Sequence, residues 1–166
     1  MATYQGGGAS QRSGGTGQGG YGNNRYSAPP APTISVSEIK LQAPVSVELF
    51  SSIAEDKAKT VATAGGRRNN KSTQLRKFYD ELVMWFDKVN HERTKEGKAS
   101  KYTEVAPFIK MMNAKVAYAK GRDHVDACFE QMFSHLIRQI DSPETLKHAK
   151  LFMEAFMGFY KVHEEK

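Results

Sequence analysis

The stretch from Ser72 to His91 reads STQLRKFYDELVMWFDKVNH, and its apolar side chains recur at intervals of three and four. This spacing places them on one side of an α-helix. Ser72 and Thr73 have the short polar side chains that cap helix N-termini, so we expect the helix to begin there. The apolar positions are Leu75, Phe78, Tyr79, Leu82, Val83, Phe86 and Val89. The stretch therefore predicts an amphipathic helix with a wide apolar face to bury.

Four other segments of the chain repeat this helical spacing. The last begins at Ser142-Pro143, a capping residue followed by a proline that fits the first helical turn. For the same reason we expect Pro107 in the first turn of its helix, after a polar loop over residues 92–101. The expected helices cover residues 45–62, 72–91, 103–120, 123–140 and the stretch from 143 onward. Four to five helices with short connections predict an all-α fold, a compact antiparallel helical bundle.

The N-terminal part of the chain differs in composition. Residues 1–33 are rich in Gly, Ser and Pro and hold too little apolar surface to offset the entropy of ordering, so we expect a disordered tail. Residues 34–41 alternate apolar and polar side chains, as a short strand or an extended arm would. Because a second strand is lacking, we expect an arm. The predicted domains are the tail (1–33), the arm with the first helix (34–66) and a helical bundle (67–166).

Positive charge is concentrated in two places. The net charge is +6, and two runs without an acid, 67–77 and 110–122, carry the excess. Within the second run Lys110 and Lys115 are separated by about 140° around a helix, so they flank a face. Such an excess favours a polyanionic partner, although a solvated basic face has the same composition. Neutral side chains near the first run could donate to phosphate or sugar: Asn69, Asn70, Ser72, Thr73 and Gln74.

The residues that carry catalytic chemistry form no motif. The single cysteine, Cys128, excludes an internal disulfide, and the five histidines lack the spacing of a metal site. We therefore expect no enzyme activity, no cofactor and no metal; a small enzyme that uses His124 and Asp126 is the remote alternative. No apolar run has the length of a membrane span, and no signal peptide is evident, so we expect a cytoplasmic location without a membrane.

Two segments resemble a known family. Asn70–Tyr79 (NKSTQLRKFY) and Pro107–Arg122 (PFIKMMNAKVAYAKGR) are similar to two helix motifs of the small helical subunit of type III-A CRISPR effector complexes, the Csm family. Their order and separation also match, and the resemblance runs from Asn70 to the C-terminus. Met111-Met112-Asn113 stands where the family pattern is rich in Leu and Ala. The resemblance leaves the role of residues 34–62 open.

The resemblance implies a non-catalytic helical subunit of a CRISPR interference ribonucleoprotein, used in antiviral defence. Copies would self-associate into a filament that lines the channel for CRISPR RNA (crRNA) and target single-stranded RNA. They would touch the repeated backbone subunit and the large catalytic subunit, and contact the RNA backbone independently of sequence. Tyr118 would lie in the core or stack on a base. The resemblance and the two basic runs together predict the RNA-binding residues. They are Arg67, Arg68, Lys71, Gln74, Arg76, Lys77, Lys110, Lys115, Lys120 and Arg122. The alternative is a structural helical adaptor without direct RNA binding.

Overall fold

Helices account for all the regular secondary structure in the computed structural model, which describes residues 30–66 and 68–164. After a short 3-10 turn at Val47–Phe50 come α1 (Ser52–Gly65), α2 (Ser72–Asn90), α3 (Lys95–Gly121), α4 (Ala127–Gln139) and α5 (Pro143–His163). The prediction of an all-helical bundle is confirmed for these ranges. The predicted tail lies almost wholly outside the described residues, and the predicted division at residue 67 stays a prediction.

The core is built around α5, which packs along α1 and α2, while α3 packs along α2 and α4. Its centre is a group of fully buried rings from α4 and α5: Phe129, Phe133, Phe152 and Phe156. The ring of Phe78 on α2 lies 5.2 Å from that of Phe133. Of the apolar stripe predicted for the stretch 72–91, Leu75, Phe78, Leu82 and Val89 are buried, whereas Tyr79, Val83 and Phe86 are half-buried.

The start of α5 agrees with the sequence pattern. The Ser142 hydroxyl accepts a hydrogen bond from the Thr145 N–H (3.2 Å), and the Thr145 hydroxyl accepts one from the Ser142 N–H (3.0 Å). This reciprocal capping satisfies amides that the helix itself leaves unpaired. Pro143 occupies the first turn, where no N–H is needed.

Three predicted helix starts are wrong. The helix expected over residues 45–62 is the 3-10 turn at Val47–Phe50 followed by α1 from Ser52. Helix α3 begins at Lys95 rather than 103, capped by the Thr94 hydroxyl, which accepts from the Gly97 N–H (3.0 Å). Pro107 therefore lies inside the helix, where it removes one hydrogen bond. The burial of Tyr102 and Val105 in the turns before it offsets that cost. The expected polar loop thus shortens to the few residues before Lys95.

Helix α4 begins at Ala127 rather than 123. The Asp126 carboxylate caps it by accepting from the Phe129 N–H (2.9 Å). Asp123 has a backbone φ of 56°, in the left-handed region that a helix does not continue through. The residues between Gly121 and Asp126 therefore form a turn, and the acids at the predicted start belong to that turn.

Residues 34–41, which we call the arm, run beside α4 and α5. The expected extended course is interrupted by a turn at Ser37-Glu38, where the Ile39 N–H donates to the Val36 carbonyl (3.1 Å). The Gln139 side chain donates to the Ile39 carbonyl (2.7 Å) and accepts from the Leu41 N–H (3.0 Å). One side-chain amide thus takes the place of a neighbouring strand. His135 contacts the same Ile39 carbonyl (3.0 Å), and His148 contacts the Leu41 carbonyl (2.8 Å). Since Ile34, Ile39 and Leu41 are buried as well, the arm is part of the core.

An ion pair fastens the arm to α1. The buried Lys57 ammonium lies 2.5 Å from the Glu38 carboxylate and 2.9 Å from that of Asp56. Burial lowers the pKa of Lys57, but the hydrogen bonds and charges of Glu38 and Asp56 outweigh it, so that the pKa is raised. Removing one partner of such a pair costs more than the pair contributes, because the other charge stays buried.

We expect Gln139→Ala to lower the free energy of unfolding by about 1–2 kcal/mol, because the buried Leu41 N–H loses its acceptor. Urea denaturation measures this change. Gln131→Ala, at an exposed position of the same helix, is the matched control and should change stability little. Equal losses in the two variants would contradict the role assigned to Gln139.

Candidate nucleic-acid interface

Asn70 joins three parts of the bundle at one end. Its side-chain amide donates to the Val61 carbonyl of α1 (3.1 Å) and accepts from the Asp126 N–H (2.8 Å). Its backbone N–H donates to the His124 carbonyl (3.0 Å), and its carbonyl accepts from the Tyr160 hydroxyl of α5. Asn70 is fully buried, with 0% of its surface exposed. The expectation that its amide contacts phosphate or sugar is therefore wrong.

The backbone of Asn70 has a φ of 58°, a left-handed conformation that asparagine tolerates better than most residues. The end of α1 must also make room for it. A Cβ atom on Gly65 would lie only 2.5 Å from the Asn70 amide nitrogen. A glycine at the end of α1 and an asparagine five residues later thus form one packing unit.

This contact brings the two basic runs together. Residues 68–71 lie against residues 122–126, because Asn70 bonds to both His124 and Asp126. Arg68 and Lys71 are exposed at the same end of the bundle as Lys120 and Arg122, which lie about 50 positions later in the chain. We call these four residues the basic end. Arg67 lies outside the described residues.

The two remaining cations of the first run, Arg76 and Lys77, lie on different sides of α2. Glu81 on α2 pairs with Lys115 on α3, at 2.7 Å, so this side of α2 faces α3. Lys77 lies four residues before Glu81 and hence on the same side, where its ammonium contacts the Gln74 side chain at 3.4 Å. Arg76 is rotated by about 100° from Lys77 and pairs with Asp80 at 3.6 Å. Arg76 and Lys77 therefore serve different surfaces.

On α3, Lys115 and Arg122 are seven residues apart and share one side of the helix. Tyr118 lies between them with 68% of its surface exposed. Of the two positions considered for it, the core is therefore excluded. The Arg122 guanidinium carbon lies 6.0 Å from the centre of the Tyr118 ring. The Lys115 side chain is 53% exposed, so its pair with Glu81 is a surface ion pair that a phosphate can exchange with at little cost.

Lys110 has partners inside the protein. Its ammonium donates to the carbonyls of Ile137 (2.9 Å), Arg138 (3.1 Å) and Ile140 (2.5 Å). These carbonyls lie at the C-terminal end of α4, where the helix no longer supplies N–H donors from the following turn. A cation there also complements the helix dipole. Burial lowers the pKa of Lys110, and the nearby Asp141 carboxylate opposes this only in part. RNA contact by Lys110 stays a prediction. Lys120, at the basic end, pairs with Glu130 at 3.5 Å.

The described residues show no arrangement of three His, Cys, Asp or Glu side chains that would hold a metal ion. The Asp126 carboxylate caps α4, and the His124 carbonyl binds Asn70. Burial and the charge of Asp126 raise the pKa of Cys128 to about 11, so its thiol is protonated at neutral pH. None of the helices in the described ranges is both long and apolar enough to cross a membrane.

A family model described as Csm2 Type III-A matches residues 46–166. The match includes both motif segments and extends further towards the N-terminus than the resemblance did, over all of α1. No curated protein and no solved structure matches the chain.

We expect Asn70→Gly to lower the free energy of unfolding by about 2–4 kcal/mol, because two buried hydrogen bonds are lost while glycine keeps the left-handed backbone. Urea denaturation again gives the change. Asn69→Ala is the control, since the side-chain oxygen of Asn69 has no hydrogen-bond partner among the described residues. A loss for Asn70→Gly no larger than that for the control would refute the role of Asn70.

Proposed function

Because this chain belongs to the Csm2 family, the small subunits of type III-A CRISPR complexes, we propose that it lines the channel that holds crRNA and target RNA. In this proposal it is a non-catalytic part of the interference ribonucleoprotein. It contacts the RNA backbone, so that base pairing between the two RNAs supplies the sequence specificity. Copies of the chain associate into a filament and contact the repeated backbone subunit and the large catalytic subunit.

The observation that carries this proposal is the joining of the two basic runs by Asn70. Arg68 and Lys71 lie at the same end as Arg122, and Lys77 and Lys115 continue along the facing sides of α2 and α3. The ammonium group of lysine and the guanidinium group of arginine bind the phosphates of a nucleic acid whichever base the nucleotide carries. A row of exposed cations on adjacent helices suits a polyphosphate chain better than a compact anion.

The ion pairs of the same residues favour a second candidate function, that of a structural adaptor without direct RNA binding. Arg76, Lys115 and Lys120 each have a carboxylate within 4 Å. In that case the charges would be balanced within the protein and the helices would contact protein partners only. The two functions differ in the salt dependence of RNA binding, since only phosphate contacts release counterions from the RNA.

We expect the double variant Lys115→Ala, Arg122→Ala to bind single-stranded RNA more weakly and with a smaller salt dependence. Two lost phosphate contacts reduce the slope of log affinity against log salt by about 1.4. Fluorescence anisotropy with a labelled oligonucleotide, over a series of salt concentrations, measures both. Arg93→Ala, Lys95→Ala removes the same charge at the other end of α3 and should leave the slope unchanged. Unchanged binding in the first variant would favour the adaptor.

Lys110→Met belongs in the same series. It keeps the length of the side chain but removes the ammonium that caps α4. If the main role of Lys110 is to cap α4, this variant is less stable to urea. The slope of its log RNA affinity against log salt then equals that of the parent protein. A slope lowered by as much as one phosphate contact would instead support the assignment of Lys110 to RNA.

Glu81→Gln should strengthen RNA binding about two- to fivefold, because it frees Lys115 from a surface ion pair that is worth less than 1 kcal/mol. Glu154→Gln is the matched control. It removes one charge from an exposed ion pair with Lys150 on α5, away from the α2–α3 surface. The gain should be specific to Glu81; an equal gain in both variants would reflect net charge alone.

A further inference from the structure

A line of side chains that the core does not use runs along α3. Phe108, Met111, Lys115, Tyr118 and Arg122 follow one another at intervals of three and four, which places them in one row. Phe108 is 50% exposed and Met111 56%, and Tyr118 is still more accessible. The buried row of α3, which includes Ile109, Met112 and Val116, faces a different direction. We call the exposed row the outer row.

The rings along this surface are not equivalent. The ring of Phe108 is stacked on that of Trp85 from α2, with centroids 5.4 Å apart and an angle of 13° between the planes. The Lys88 ammonium covers Trp85 at 4.9 Å. Tyr118 has no aromatic partner among the described residues, and its neighbour is the Arg122 guanidinium. Tyr118 is therefore the ring on the outer row that has an open surface for a ligand.

The charge around Tyr118 decides between possible ligands. Lys115 and Arg122 flank it on α3, and Lys77 lies on the side of α2 that faces α3. Glu81 on α2 also lies at this surface, where it accepts hydrogen bonds from the Lys115 ammonium (2.7 Å) and the Trp85 indole N–H (3.4 Å). An open ring between cations fits a ligand with flat rings on an anionic chain, which is the chemistry of single-stranded nucleic acid.

We propose that an unpaired base of the bound RNA stacks on Tyr118 and is held there together with Arg122. The guanidinium group is planar and stacks on bases as aromatic rings do. This inference rests on the proposed function, because phosphate contacts at Lys115 and Arg122 bring the strand past the ring. It adds a contact to the base itself, one that any base can make and that a fully paired strand cannot.

The test compares two ligands that differ only in their bases: an oligoadenosine and an abasic ribose-phosphate chain of equal length. The purified full-length chain should bind the oligoadenosine more tightly. Tyr118→Ala should weaken that binding about fivefold or more, the range for one stacked base, and leave binding to the abasic chain unchanged. The salt slope should stay that of the parent, because no phosphate contact is lost. Tyr118→Phe should bind as the parent does.

Met111→Ala is the control on the same row, since it removes an exposed apolar side chain without a ring. It should leave both affinities unchanged. If it weakens binding as much as Tyr118→Ala, or if the parent binds the two ligands equally, stacking on Tyr118 is refuted. In these cases the salt slope of the parent still supports the proposed function. If the parent binds neither ligand, both proposals fail.

Discussion

The buried amide of Asn70 is the contact on which the arrangement of the charged surface depends. Asn70 contacts three segments: the Val61 carbonyl of α1, the Asp126 N–H in the turn between α3 and α4, and the Tyr160 hydroxyl of α5. Without the Asn70 side chain the Asp126 N–H would lose its acceptor, and an unpaired buried group of this kind costs about as much as several surface ion pairs contribute. The two basic runs are adjacent for this reason. A neutral, inaccessible residue thus determines where Arg68, Lys71 and Arg122 stand.

The lysines of the chain have different structural roles, and the residues next to each lysine in the sequence do not indicate which role it has. Lys57 and Lys110 place their ammonium groups among acceptors within the fold, one against the arm and one at the end of α4. Lys115 and Lys120 lie in surface pairs that solvent screens and a phosphate can replace. A long flexible side chain reaches whichever acceptor lies nearest in space, so helix position alone could not separate Lys110 from Lys115. Their spacing places them on two flanks of a helix face, and in the structure the two flanks contact different neighbours.

Helix α3 carries two rows of apolar side chains, one buried and one exposed. The buried row and the outer row both carry large apolar side chains, so that the spacing of Phe108 and Met111 does not distinguish them from the core positions Ile109 and Met112. Pro107 has the pattern of a helix start and predicts that α3 begins near it, whereas the capping residue Thr94 lies thirteen residues earlier. The alternation in residues 34–41 predicts an extended segment but not its burial, because its partners Gln139 and His148 are about a hundred residues away.

The sequence by itself determined five helices, the capped start of α5 and, through two motif segments, the family. These features depend on residues within a few positions of one another, and local spacing and capping chemistry are sufficient to specify them. Only the tertiary structure decided that Asn70 is buried, that Lys110 caps α4 and that Tyr118 is exposed. Each of these outcomes depends on a polar or apolar group from a distant part of the chain. The direction of a side chain is set by the neighbour that packing brings to it, and that neighbour is not encoded in the residue's own segment.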